Sequence, residues 1–284
     1  MGKHVTDFGK GDIITGESIL WCGKCLPCRH GMLNQCENIE LMGLTSDGAF
    51  AEYMAVKAKY CWNLTDLLEK FETDKVYNLG TLIEPVGCAY NGIFVSGGGF
   101  LPGASAVVYG AGPIGLGAVA LLKTAGAGKI IALDIVDERL EIAKKMGADH
   151  VFNPDKTPDL GKLITELTNG WGADLQIEAT GAARRTIPLI ESVYSNRSKV
   201  IYLGRADSLA TVQLNKMVSG AHSFVGSRGH SGYGIFPNII RLLHGGRLGS
   251  LEEMITSIFP FSGIMSAFET SKKRTDGKVL VKVN

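Results

Sequence analysis

Residues 105–134 constrain the fold of this chain more than any other stretch: S-A-V-V-Y-G-A-G-P-I-G-L-G-A-V-A-L-L-K-T-A-G-A-G-K-I-I-A-L-D. An apolar run over 106–109 reads as a buried strand, and Gly110, Gly112 and Gly115 follow it at G-x-G-x-x-G spacing. A helical pattern opening at Pro113 runs over 113–125, a second apolar strand covers 129–133, and Asp134 closes the unit. Gly110 permits a tight turn out of the strand, Gly112 lets a pyrophosphate approach the backbone, and Gly115 lets helix and strand pack closely. The start of the helix offers unpaired N–H groups and the positive end of its dipole to phosphates. Spacing alone would also suit a glycine-rich turn in an ordinary α/β unit; the flanking strand, helix and terminal acid point to a dinucleotide. A carboxylate at position 134 accepts from a ribose 2′-OH and repels a 2′-phosphate, so NAD is expected rather than NADP.

Strand patterns at 106–110, 129–134, 150–152, 175–179, 199–203 and 223–226 alternate with helical patterns at 113–125, 137–146, 160–169 and 184–194. This alternation predicts a parallel sheet covered by helices on both faces. Ligands then gather at the C-terminal ends of the strands. Glu178, Ala179, Thr180 and Gly181 end one such strand and Gly204 and Arg205 another, which makes them candidates for the nicotinamide side, although a glycine there also suits an ordinary turn. Outside this unit, 12–15 and 19–21 read as short strands, 44–56 as strands by its alternation, and 66–83 as a helix. A helix at 237–244 and a final strand at 278–283 close the chain.

Cys22, Cys25, Cys28 and Cys36 are spaced C-x2-C-x2-C-x7-C. Four thiolates from one looped segment close a tetrahedron round Zn²⁺ at ~2.3 Å per bond, with no position left open for chemistry. An iron–sulfur cluster also takes four cysteines, but the bacterial ferredoxin spacing ends C-x3-C-P, whereas Glu37 follows Cys36. A redox switch is the third alternative. His30 beside the lobe reads as a surface residue, and Cys61, isolated in an apolar setting, as a packing residue. Glu84 is an acid on an apolar segment directly before Pro85. Buried carboxylates are rare unless paired or metal-bound, so it is either a helix-end or domain-junction charge or a ligand. In the late segment S-R-G-H-S-G, Arg228, His230 and Ser231 are candidates for contact with a hydroxylated ligand, against a plain reading of His230 as a solvated loop histidine. His244 suits a helix C-terminus.

The formal net charge of the 284 residues is +1 with 20% charged residues, which gives no footprint for nucleic acid. Residues 85–122 lack any charged side chain, but ten glycines and three prolines make the segment protein core rather than a membrane span. The N-terminus lacks a hydrophobic signal region and the cysteines cluster as metal ligands do in a reducing compartment, so the cytosol is expected.

With the four-cysteine lobe, L-I-E-P and G-A-G-P-I-G in this order, the chain resembles the zinc-containing medium-chain alcohol/polyol dehydrogenases over nearly all its length. By L-I-E-P, G-G-G-F-L-P-G and G-S-R-G-H-S-G it is most similar to the scyllo-inosose 3-dehydrogenase-like and sorbitol dehydrogenase-like bacterial branch. The resemblance implies an α/β fold: a Rossmann doubly wound parallel sheet plus an incomplete GroES-like, β-rich catalytic domain. Residues 1–83 would be the partial GroES-like domain with its zinc lobe, 84–227 the NAD-binding domain, and 228–284 the return to the catalytic domain. By the same resemblance Cys22, Cys25, Cys28 and Cys36 match structural zinc ligands, and Glu84 the acid near a catalytic zinc. Gly110, Gly112, Pro113, Ile114, Gly115, Asp134 and Arg139 match residues that hold NAD, and Thr180, Gly181, Gly204 and Ser227 line its cleft.

The implied reaction is oxidation of a polyol or cyclitol hydroxyl, with zinc polarising the hydroxyl and hydride passing to the nicotinamide. A homo-oligomer, dimer or tetramer, is implied as well. The family's C-x-[ST]-D cysteine and G-H-E motif have no counterpart here; the opening M-G-K-H-V-T-D-F-G-K-G-D resembles the family's V-G-x-x-V-x-x-F-x-x-G-D, which follows them. The chain is therefore expected to be N-terminally truncated, to lack an intact catalytic zinc site and to be inactive as given. The alternative is a non-catalytic NAD- and zinc-binding subunit. Zinc-independent quinone or enoyl reductases usually lack a four-cysteine lobe and prefer NADPH, so the cysteines and Asp134 speak against them.

Overall fold

The computed structural model describes residues 1–205 and 208–283. The N-terminal part is built of short pieces: β1 (Ile14–Gly16), β2 (Ile19–Leu20), α1 (Leu26–Arg29), β3 (Glu40–Leu41) and β4 (Cys61–Asn63). The long helix α2 (Thr73–Tyr90) follows, and then the alternating unit β5 (Ser105–Tyr109), α3 (Pro113–Thr124), β6 (Lys129–Leu133), α4 (Asp137–Lys145), β7 (His150–Phe152), α5 (Leu160–Leu167), β8 (Ala173–Glu178), α6 (Ala183–Ser192), β9 (Tyr194–Tyr202), α7 (Leu214–Ser219) and β10 (Ser223–Gly226). Helix α8 (Ile235–His244), β11 (Ile255–Pro260), α9 (Ile264–Lys272) and β12 (Lys278–Lys282) complete the order.

The six strands of the alternating unit form one parallel sheet in the order β10-β9-β8-β5-β6-β7. The chain runs outward from β5 through β6 to β7, then returns to β8 and runs outward the other way. Strand order therefore reverses between β5 and β8, and the crevice at their C-terminal ends is where such sheets take dinucleotides. Side chains alternate between the two faces with period two, as a sheet covered on both sides requires. Ala106, Val108, Ile130 and Ala132 share a core with α2, α3 and α8, whereas Val107, Tyr109, Ile131 and Leu133 share one with α5 and α6.

Two sequence expectations are corrected. In place of one helix over 66–83, residues 65–69 form a short 3-10 turn and α2 runs through Pro85 to Tyr90, continuing as a π-turn over Asn91–Ser96. A proline inside a helix costs about 3 kcal/mol. Val76, Leu79, Leu82, Ile83 and Val86 are all fully buried, and such side chains contribute about 1.5–3 kcal/mol each, so packing wins. The second correction concerns 44–56, which holds no strand; its one pairing is an isolated bridge between Met42 and Ser46. Alternation makes a strand only where a neighbour supplies the ladder. Leu44 and Tyr53 stay exposed, and Phe50 packs edge-on against Phe268 with centroids 5.4 Å apart. Residues 83 and 84, the expected domain boundary, lie within α2, and the sheet begins only at Ser105.

Candidate cofactor and active site

The three fingerprint glycines face three different surroundings. Gly110 has φ of +93°, and a Cβ there would lie 2.8 Å from Thr180 Cγ2. A Cβ on Gly115 would lie 1.8 Å from the Gly110 carbonyl oxygen, so helix α3 reaches β5 only because that carbon is missing. Gly112, the N-cap of α3, has an ordinary φ of −74°, and the nearest atom to an added Cβ is Arg139 Nη1 at 3.8 Å. Its side of the loop is open. Pro113 occupies the first turn of α3, where its missing N–H costs nothing, and Ile114 beside it is half-buried.

Asp134 stands at the mouth of this loop. Its Oδ2 accepts from the Ala111 N–H at 2.7 Å and its Oδ1 from the Val136 N–H at 2.9 Å, which fixes the carboxylate against the glycine turn. A carboxylate has about four acceptor positions, so two bonds leave room for sugar hydroxyls. Arg139 donates from Nε to the Asp276 carbonyl at 3.0 Å, which ties α4 to the segment before β12.

Across the crevice, Thr180, Gly181 and Gly204 surround the buried carboxylate of Glu178. Glu178 Oε1 accepts from the N–H groups of Thr180 and Gly181, both at 3.1 Å, and from the Thr180 hydroxyl. A Cβ on Gly204 would fall 2.2 Å from Gly181 N and 2.5 Å from Glu178 Oε2, so β8 and β9 end on a shared clasp that admits only glycine at 204. Ser227 follows β10; its N–H donates to the Tyr202 carbonyl at 3.1 Å and its hydroxyl meets Ser96 Oγ at 3.0 Å.

The four cysteines of the lobe converge. The Sγ atoms of Cys22, Cys25, Cys28 and Cys36 lie within 4.8 Å of one another, and among the described residues no other three histidine, cysteine or acidic side chains meet in this way. Backbone N–H groups of Lys24 and Cys25 point at Cys22 Sγ, both at 3.4 Å, and bring that thiol down to about 6. Burial pushes the Cys28 thiol up to about 12. Four sulfurs, one already near its thiolate form and the rest within bonding reach of one centre, fit tetrahedral zinc. His30 is exposed beside them, and Cys61 is buried with its thiol pushed up by burial.

Glu84 sits in the middle of α2 rather than at a helix end. Its Oε1 meets His230 Nε2 at 3.3 Å and accepts from Ser18 Oγ at 3.4 Å, and Ser18 Oγ also meets His230 Nε2 at 3.0 Å. Burial raises the Glu84 carboxyl pKa, but the hydrogen bond and charge of His230, then Lys278 and Ser18, outweigh it and hold the group below its ordinary value. The solvated reading of His230 is overturned: it is 1% exposed, packed on Phe236, and a Cβ on Gly87 would come within 2.9 Å of its own Cβ. Among the described residues, His230 Nδ1 and Ser231 Oγ are buried without a hydrogen-bond partner, which is where a polar ligand or water is needed. Arg228 points its side chain to solvent, while its carbonyl accepts from Asn34 and Asn91. Cys88, one turn beyond Glu84, has its thiol pushed up by burial and then by the Glu84 charge. Glu84 and His230 gain no third metal-ligating side chain among the described residues, so these residues do not fit a catalytic zinc.

Sequence reasoning missed Ser18, Asn34 and Asn91, none of which carries a local signal. Glu178, a candidate from its place at a strand end, is the acceptor that gathers Thr180 and Gly181.

Comparison with known proteins decides the family. Residues 113–245 match the zinc-binding dehydrogenase model and residues 1–66 the alcohol dehydrogenase GroES-like domain. The chain is 32% identical over 282 residues to an L-threonine 3-dehydrogenase of Caldanaerobacter subterraneus, covering 99% of this chain and 78% of that protein. The chain belongs to the zinc-binding medium-chain dehydrogenases. Scyllo-inosose 3-dehydrogenase of Thermotoga maritima is 42% identical over 243 residues; the match takes in 84% of this chain and 61% of that enzyme's length. Among solved structures, one from Thermotoga maritima superposes with a TM-score of 0.91 at 38% identity, over 96% of this chain and 70% of its own. An alcohol dehydrogenase of E. coli CFT073 complexed with NADH gives 0.83 at 30% identity, over 96% and 77%. As a member of this family the chain has the sheet and the four-cysteine lobe in place, and none of its described helices is long and apolar enough to cross a membrane.

Proposed function

We propose that the chain is the NAD-binding and substrate-facing part of a dehydrogenase that oxidises a secondary hydroxyl of a polyol or cyclitol to a ketone. The observation that carries this reading is the Asp134 carboxylate, held by Ala111 N–H at 2.7 Å beside the open face of Gly112. In that position it accepts from ribose hydroxyls, while the α3 N-terminus receives the pyrophosphate. Bound NAD would supply the hydride acceptor. The protein's own part is to hold the carbinol carbon against the nicotinamide and to exclude water. Ser18, Glu84, His230 and Ser231 gather polar groups near the loop that carries Ser227, which suits a ligand with several hydroxyls. The scyllo-inosose relative supports a cyclitol as that ligand.

One observation favours a second reading, a non-catalytic NAD- and zinc-binding subunit: only the four cysteines form a group of three or more metal-ligating side chains among the described residues. A panel of cyclitols, hexitols and L-threonine, titrated calorimetrically into the NAD-loaded chain and followed by NADH absorbance, separates the two. Binding of a cyclitol or hexitol, with or without NADH formation, supports the first. NAD binding with neither binding nor turnover of any member supports the second, and absence of NAD binding by folded protein refutes both.

A further inference from the structure

The segment between the third and fourth cysteines carries a contact that the lobe itself does not need. Asn34 is 5% exposed in the short turn Leu33–Gln35, and its Nδ2 donates to the Arg228 carbonyl at 2.6 Å. Asn91, directly after α2, donates from Nδ2 to the same carbonyl at 3.0 Å and to the Gly229 carbonyl at 2.9 Å. A carbonyl oxygen only accepts, so both amides are turned with their NH2 groups toward the loop.

Around these bonds the contact is close and uses glycine. A Cβ on Gly229 would lie 2.4 Å from Ile19 Cδ1 and 3.7 Å from Asn34 Cβ. One on Gly232 would lie 2.9 Å from the Gly31 carbonyl oxygen and 3.5 Å from Leu33 Cγ. Both glycines have left-handed φ, +66° and +93°. Residues 228–232 therefore lie directly on residues 31–34 of the lobe. The same loop begins at Ser227, at the end of the cofactor cleft, and carries His230 into contact with Ser18 and Glu84.

We propose that Asn34 is a positioning residue through which metal occupancy of the four-cysteine lobe sets the placement of the 227–232 loop, and with it Ser227 and His230. Metal bound by Cys28 and Cys36 fixes the path of the chain between them. Without it, residues 31–34 are held by local turns such as Gly31 N–H to the Cys28 carbonyl at 3.0 Å and Met32 N–H to the Pro27 carbonyl at 3.0 Å. Asn91 anchors the same carbonyl from α2, so the loop is gripped by two elements and only one of them answers to metal. Describing the surroundings of His230 as a reaction site rests on the proposed function; the coupling from lobe to loop does not.

Hydrogen–deuterium exchange read by mass spectrometry tests the coupling on the whole chain, zinc-loaded and after chelation, with Asn34→Ala and Asn34→Asp alongside. Asn34→Asp keeps the side-chain volume and removes the donor. The expected result is exchange on the order of tenfold faster over 226–234 when zinc is removed, the effect of losing roughly one buried hydrogen bond. Residues 160–167 of α5 serve as the control and keep their rate. Both zinc-loaded variants should show the same acceleration over 226–234 with unchanged zinc content, and chelation should then add little, because the two perturbations share one path. Independent, additive effects overturn the proposal, as does wild-type protection over 226–234 in Asn34→Asp. If chelation loosens α5 too, the zinc-loaded variants decide, and unchanged exchange at 226–234 refutes the role of Asn34. None of these readouts depends on turnover, so failure of the dehydrogenase reading leaves them intact.

Discussion

Two glycine-to-alanine substitutions in one turn should fail in opposite ways. At Gly115 the new methyl carbon would stand 1.8 Å from the Gly110 carbonyl oxygen, a backbone atom that cannot swing aside. Carbon and oxygen ordinarily approach to about 3.3 Å, so α3 and the β5 turn must separate by roughly 1.5 Å. Overpacking of this kind costs about 1–3 kcal/mol, and backbone against backbone belongs at the upper end. At about 2–4 °C per kcal/mol for a chain of this size, Gly115→Ala should lower Tm by roughly 6–12 °C. At Gly112 the nearest atom is Arg139 Nη1 at 3.8 Å, ordinary contact, and φ is −74°, so the free protein has nothing to strain. Gly112→Ala should leave Tm within about 2 °C of wild type, as neutral surface changes of ~0.5 kcal/mol do. Its methyl occupies the space where pyrophosphate approaches, so NAD binding should weaken by at least about tenfold, or 1.4 kcal/mol. Scanning fluorimetry with and without NAD, followed by titration calorimetry, reads both effects. Wild-type NAD affinity in Gly112→Ala, or an unshifted Tm in Gly115→Ala, would refute the assignment of this turn.

Three further outcomes follow from the same structure. Cys28→Ser should abolish zinc retention, taking metal content from one zinc per chain to none by elemental analysis. Because the Cys28 thiol sits up at about 12 until metal displaces its proton, zinc affinity of the lobe should rise with pH through the neutral range, and loading should release protons. His222 is stacked on Tyr194 with centroids 4.0 Å apart, and burial holds its pKa below the ordinary 6.5. The unfolded chain then binds the proton more readily, so this part of the stability is complete above about pH 6.5 and is lost as pH falls toward the lower folded value. His222→Phe should flatten the acid limb of a Tm-against-pH curve, and an unchanged limb would contradict the burial argument.

The dinucleotide half of the fold was legible because each of its elements is long enough to show a period and is bounded by punctuation. His150–Phe152 and Ser223–Gly226 fall where their patterns place them, and α3 starts at Pro113 as expected. Pro85 misled because local propensity argues against a helix that burial on several sides enforces. Residues 44–56 misled in the opposite sense, since alternation carries no information about whether a partner strand is present. Strand β11 and helix α9 went unread; I-T-S-I-F-P and I-M-S-A-F-E-T-S-K show only weak periods. The polar junction was beyond a linear reading for a simpler reason. Ser18 and His230 are 212 residues apart, and Asn34 and Arg228 are 194 apart, so only the closed fold brings them together. His230 reads as a solvated loop residue until Gly87 of α2 is seen to leave room for it.

The account depends most on what Asp134 meets. Calorimetric titration of the zinc-loaded chain with NAD and with NADP, repeated on Asp134→Ala, tests this directly. The expected result is NAD binding at least about tenfold tighter than NADP, with the gap closing in the variant as the repulsion of a 2′-phosphate disappears. NADP binding as tightly as NAD to the wild-type chain, or an unchanged preference in Asp134→Ala, would contradict it.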